Sequence, residues 1–130
     1  MKVVRRGEQP AQRGTTFTGE VTLERLLEAQ QPGGVSVARV TFRDGARTHW
    51  HTHPGEQVLV ILEGRGIVGN EREQVEVQPG DLVYTSPGEK HWHGAAPGQT
   101  MVHLSITTAG PAEWYGPVEQ PPIDTASDQQ

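Results

Sequence analysis

Gly45 to Gly64 reads GARTHWHTHPGEQVLVILEG, and within it His49, His51 and His53 occupy alternate positions. Side chains alternate faces along a β-strand, so these imidazoles project from one side. A helix would scatter them. Gln57 lies four residues beyond His53, and a second pair, His91 and His93, follows in SPGEKHWHG. Two separated strands that each send an i, i+2 histidine pair to one face form an arrangement that binds a metal ion.

Outward from this stretch, periodicity of two dominates. Val35 to Phe42 alternates apolar and polar residues, Asp44-Gly45 reads as a hairpin turn, and Arg47 to His53 is the first histidine strand. Gln57 to Leu62 (QVLVIL) is an almost unbroken apolar run, expected to be buried on both faces. Further strands are expected at Arg65–Val68, Gln74–Val77, Leu82–Thr85 and Thr100–Thr107, separated by turns such as Pro79-Gly80-Asp81 and Ser86-Pro87-Gly88. Upstream, Val3–Arg6 is a short edge strand, Glu8–Thr15 a loop and Phe17–Leu23 a strand. Leu23, Leu26 and Leu27 share a helical face, which suggests a brief helical turn. Trp114 and Tyr115 are expected to dock on the outside. The sum is about nine or ten short strands in a sandwich or barrel. The chain divides into an arm (1–16), a barrel (17–118) and a disordered tail (119–130).

Composition limits the function classes. With 130 residues, 16 Gly, 10 Pro and 33% hydrophobic content, the chain fits one domain of short strands and many turns. A net charge of -5 without a basic run disfavours nucleic acid and anionic membranes as partners. No cysteine is present, so any metal ligand is His, carboxylate or amide. MKVVRRGEQP lacks the apolar stretch of a signal peptide, and no segment reaches the ~20 apolar residues of a membrane span. These features favour a cytoplasmic protein. Sheet edges that need covering favour a homodimer or higher homo-oligomer.

The spacing resembles the cupin superfamily. Gly45, five residues, His51-x-His53, three residues, Gln57, six residues and Gly64 follow its first motif, with Gln in place of the usual Glu. Gly80-Asp81, Ser86-Pro87-Gly88 and His91 resemble the second, with Ser86 where Pro is usual and Ala95 where Asn is frequent. The resemblance spans Val35 to Thr107. It implies an all-β fold, a single cupin barrel of the double-stranded β-helix (jelly-roll) type with a metal in its mouth. HTHPGEQ, SPGEKHWHGAAP and MVHLSI resemble more narrowly the manganese-dependent bacterial hydroxynitrile lyases, single-domain cupins that cleave or form (R)-mandelonitrile.

That resemblance implies His51, His53, Gln57 and His91 as ligands of one divalent transition metal. It favours Mn, while the donor types alone suit Mn, Fe, Ni, Co or Zn equally. Three neutral imidazoles and an amide leave the ion's charge uncompensated, which makes a strong Lewis acid. His93, with His103 as second choice, is expected as the general base, since an imidazole titrates near neutral pH. His49 is expected to support the site rather than bind. Ala38, Val40 and Thr107 would line the pocket, the first two small enough to admit an aromatic substrate. Trp50 and Trp92 have the opposite parity to the ligands and are expected to pack. Beside a lyase stand two rivals, another metal-cupin enzyme such as a dioxygenase or isomerase, and a non-enzymatic module that binds a small ligand.

Overall fold

The computed structural model describes residues 1–123. Its elements are β1 (Gln12–Arg13), β2 (Phe17–Leu27), β3 (Ser36–Thr48), β4 (Trp50–Thr52), β5 (Gln57–Gly64), β6 (Gly66–Asn70), β7 (Gln74–Val77), β8 (Leu82–Thr85), β9 (His91–Ala95), β10 (Met101–Thr107) and β11 (Glu113–Gly116). Among the described residues there is no helix. Every pairing is antiparallel.

The sheet is curled so that two halves face each other. One half runs β2-β3-β10-β5-β8, the other β11-β4-β9-β6-β7, and β3 belongs to both. Its first part lies between β2 and β10, and its end reaches β9 through Arg47 and Gly94. Asp44 (φ 49) and Gly45 (φ 76) bend the strand at this corner. Asp44-Gly45 is therefore a bulge inside a continuous strand, not the hairpin turn its composition suggested. A pair of left-handed residues makes either device. Opposite the corner, Gly19 (φ 89) leaves β2 without a side chain where a Cβ would lie 2.8 Å from that of Ala46.

The core fills the space between the halves with Val21, Val40, Phe42, Leu59, Ile61 and Met101, all at most 4% exposed. A second apolar layer, Ile67, Trp92, Ala96 and Val118 with Trp50 packed against it, lies on the outer side of β4-β9-β6. Arg47 fastens it, donating to the Val118 carbonyl at 2.8 Å beneath a guanidinium–indole contact with Trp92. Trp50 and Trp92 thus pack, as their parity required.

Other expectations need correction. Val3–Arg6 forms no strand, and Gln12–Arg13 inside the expected loop does, pairing with Leu23 and Thr22. Leu23–Leu27 stays extended. A register shift between Arg25 and Leu27 breaks the alternation, so adjacent leucines are both half-buried and imitate a helical face. β5 is buried on one face only, through Gln57, Leu59 and Ile61. Of the expected tail, Pro121 and Ile123 are tied to Gln74 by hydrogen bonds of 3.1 and 2.9 Å. Residues 124–130 lie outside the described residues.

Candidate metal centre

β4 and β9 pair with His51 opposite His91, and β11 places Trp114 opposite His51. Directly paired residues share a face, so Trp114, His51 and His91 form one row across three strands. The His51 and His91 rings lie 4.2 Å apart, and the indole stacks on His51 at 4.5 Å and 29°. His53 follows β4, its ring 5.0 Å from His51 and 5.5 Å from His91. Gln57 begins β5 and reaches the same point from the facing half of the barrel.

Hydrogen bonds fix the tautomers. His51 Nδ1 donates to the His49 carbonyl and His91 Nδ1 to the Glu89 carbonyl, both at 2.9 Å. Each Nε2 therefore carries a lone pair, the state a metal-binding histidine needs, and such backbone bonds orient the ring. His49 serves the site through this carbonyl.

His91 Nε2 meets Gln57 Oε1 at 2.8 Å, so two acceptors face each other. Such a contact is relieved by a cation between the lone pairs or by rotation of the amide. Ser105 Oγ, 3.0 Å from Gln57 Nε2, tolerates either orientation because a hydroxyl donates and accepts. Both ring nitrogens of His53 are buried without a partner among the described residues. Buried polar atoms are rarely left unmatched, and whichever tautomer His53 adopts, one of these two nitrogens offers a lone pair. The residues present fit a divalent ion.

His93 and His103 form a separate buried pair, Nδ1 of the first 3.0 Å from Nε2 of the second. His93 Nε2 and His103 Nδ1 have no partner among the described residues. His51, His91 and His93 can each bring one nitrogen within 4.8 Å of the others. His93, expected as the general base and not among the ligands, is thus as close to His51 and His91 as a ligand would be, whereas His53 does not join that tight trio. Neither nitrogen of His53 has a partner among the described residues, whereas His93 already engages His103 through Nδ1.

Burial sets the electrostatics. It pulls the His51 pKa from 6.5 to about 2, helped by nearby His91, and that of His53 to about 4 for the same two reasons. Burial alone lowers His103 to about 3. His91 is lowered by burial, and His93 well below its ordinary value by burial and then by His103. These imidazoles are neutral at pH 7, and the trio includes no carboxylate.

A cavity of about 620 Å³ opens over this cluster. Ala38, Val40 and Thr107 line it together with His51, His53, Gln57, His93 and His103. Trp114 lines it too, although its composition suggested outside docking, and it remains 39% exposed. No local signal announced this, because the pairing of β11 with β4 is a property of the fold. A smaller cavity of about 440 Å³ between β7 and β8 reaches His91 and His93 from the other side.

The sequence comparisons agree with this geometry. A cupin domain model matches residues 38–107. The chain belongs to the cupin family. An (R)-mandelonitrile lyase of Granulicella tundricola is 49% identical over 109 residues, 82% of this chain and 83% of that protein. The crystal structure of a cupin-like protein from Thermotoga maritima MSB8 is 39% identical, with TM-score 0.78 over 83% of this chain and 86% of its own. An oxalate-binding protein from Thermotoga maritima is 33% identical over 76 residues, 56% of this cupin and 63% of that protein.

Proposed function

We propose that this cupin is a metal-dependent hydroxynitrile lyase that cleaves an aromatic cyanohydrin such as (R)-mandelonitrile into aldehyde and hydrogen cyanide. His51, His53, Gln57 and His91 would hold one divalent transition metal, with manganese favoured by the likeness to the lyase. When bound, the metal supplies Lewis acidity at the floor of the cavity, undiminished by any carboxylate ligand.

The chain's own residues do the rest. His93 Nε2, buried and without a partner among the described residues, takes the hydroxyl proton. Burial holds its pKa well below the near-neutral value expected of an imidazole, so it is a weak base suited to a hydroxyl that a bound metal would acidify. The O–H electron pair becomes the second C–O bond as the C–C pair leaves with cyanide. His93 then returns its proton to cyanide, so atoms and charge balance. His103, bonded to His93 Nδ1 at 3.0 Å, spreads the positive charge that His93 briefly carries. Ala38 and Val40 leave space for the aryl group, and Thr107 stands at the cavity wall. The carboxylate-free cluster of neutral imidazoles beneath a mostly apolar cavity carries this reading.

The test is cleavage of (R)-mandelonitrile by manganese-loaded protein. Activity that disappears in His51→Ala is expected, and activity no higher than that variant's would remove the reading. We further propose a cytoplasmic homodimer with no nucleic-acid partner, organised as arm, barrel and tail. No helix among the described residues is long and apolar enough to cross a membrane.

A second reading is a binding module for a small dicarboxylate, favoured by the oxalate-binding relative and by the uncompensated charge that a metal would carry here. Oxalate that binds the loaded protein tightly, with no cyanohydrin turnover, would favour it.

A further inference from the structure

Trp114 has no part in the proton chemistry, yet it lies against the site. It stacks on His51 at 4.5 Å and 29°, and the edge of Phe17 approaches it at 6.1 Å and 61°. Its strand pairs with β4 alone, after a turn at Ala109 and Gly110 with φ of 62° and 100°. Val118, beyond the strand, is anchored by Arg47. Tyr115, the next residue, points to the other face, with Lys90 4.9 Å from its ring centroid. The indole, with Phe17 at its edge, therefore forms an aromatic part of a cavity whose lining also carries the small Ala38 and the Val40 side chain.

We propose that Trp114 is the specificity-determining residue of this site, a stacking platform that selects planar aryl aldehydes and their cyanohydrins over aliphatic ones. The inference rests on the lyase reading for the identity of the substrate. It follows from adjacency. A substrate whose hydroxyl oxygen is held beside His51 carries its remaining substituent two bonds away, within reach of the indole that stacks on that histidine. Aromatic rings favour offset or edge-on contact with such a surface, and a branched alkyl group does not gain that interaction.

The experiment uses the manganese-loaded full chain as wild type, Trp114→Ala, Trp114→Phe and Tyr115→Ala. Binding of benzaldehyde and of 2-methylpropanal is measured by ligand-observed NMR, beside metal content and turnover of the two cyanohydrins. Trp114→Ala should weaken benzaldehyde binding about tenfold and 2-methylpropanal binding less than about twofold, with metal content unchanged. The kcat/KM ratio between the two cyanohydrins should fall by the same factor. Trp114→Phe should restore most of the preference, and Tyr115→Ala should resemble wild type.

Equal losses for both aldehydes in Trp114→Ala, or no loss, would overturn the proposal. Tryptophan-dependent benzaldehyde binding without cyanohydrin cleavage would leave Trp114 as a platform and remove the lyase reading. Cleavage whose selectivity ignores Trp114 would do the reverse.

Discussion

His91 commits its Nδ1 proton to the Glu89 carbonyl, and so turns a lone pair toward Gln57 Oε1, 2.8 Å away. His53, buried with both nitrogens unmatched, stands beside that pair. His93 differs because His103 already satisfies one of its nitrogens. The two histidines should therefore separate on substitution. His53→Ala is expected to lose metal affinity by at least the roughly 10- to 100-fold that removal of a ligand's supporting partner costs. His93→Ala should keep the metal while kcat falls about 10²- to 10⁴-fold. Elemental analysis beside steady-state kinetics checks both, and metal loss in His93→Ala would exchange their roles. The alternation of His51, His53, His91 and His93 was readable from sequence because strand parity is local. The closeness of His93 to His51 and His91 was not, since it depends on how β9 lies against β4.

The same burial makes the metal-free protein acid-sensitive. The site histidines titrate near 6.5 when unfolded, but His53 falls to about 4 and His103 to about 3 in the fold. Between those values the unfolded chain binds more protons, so stability is full above about pH 6.5 and is lost as pH falls. Each such histidine removes about 1.4 kcal/mol per pH unit in that window. Thermal melts of metal-free protein should show Tm falling steadily from pH 7 to pH 5. A flat profile would mean that these imidazoles are not buried.

At the scale of elements, the corner in β3 decides whether the histidine strands meet. Asp44 and Gly45 carry it to the second half of the sheet, and Gly19 yields the space. Gly19→Ala would place a Cβ 2.8 Å from that of Ala46 at φ 89. It should cost about 1–3 kcal/mol in chemical denaturation. No change would mean that β2 does not press on the corner. Sequence gave the strands at β7 and β8 at their observed limits, Gln74–Val77 and Leu82–Thr85, because Gly and Pro turns bracket them. It misjudged Asp44-Gly45 and Leu23–Leu27. A bulge uses the same residues as a turn, and a register shift erases the period of two.

For the whole molecule, one outer face, on β5, β8 and β10, carries a row of exposed and half-buried apolar side chains. Leu82 pairs with Val60 and Tyr84 with Val58, while Leu104 and Ile106 pair with the same two valines from β10. Leu82 is 64% and Tyr84 53% exposed. Contiguous apolar faces of this kind mark interfaces. Light scattering is expected to give a dimer for wild type and a monomer for Leu82→Glu. A monomeric wild type, or an unaffected variant, would contradict this assignment.

The proposed chemistry requires a cation held where the two halves of the sheet meet. Its most direct test is the metal stoichiometry of the reconstituted, dialysed protein beside that of His91→Ala. About one divalent ion per chain, lost in the variant, is the predicted result. Wild-type protein that retains no more metal than His91→Ala would contradict it.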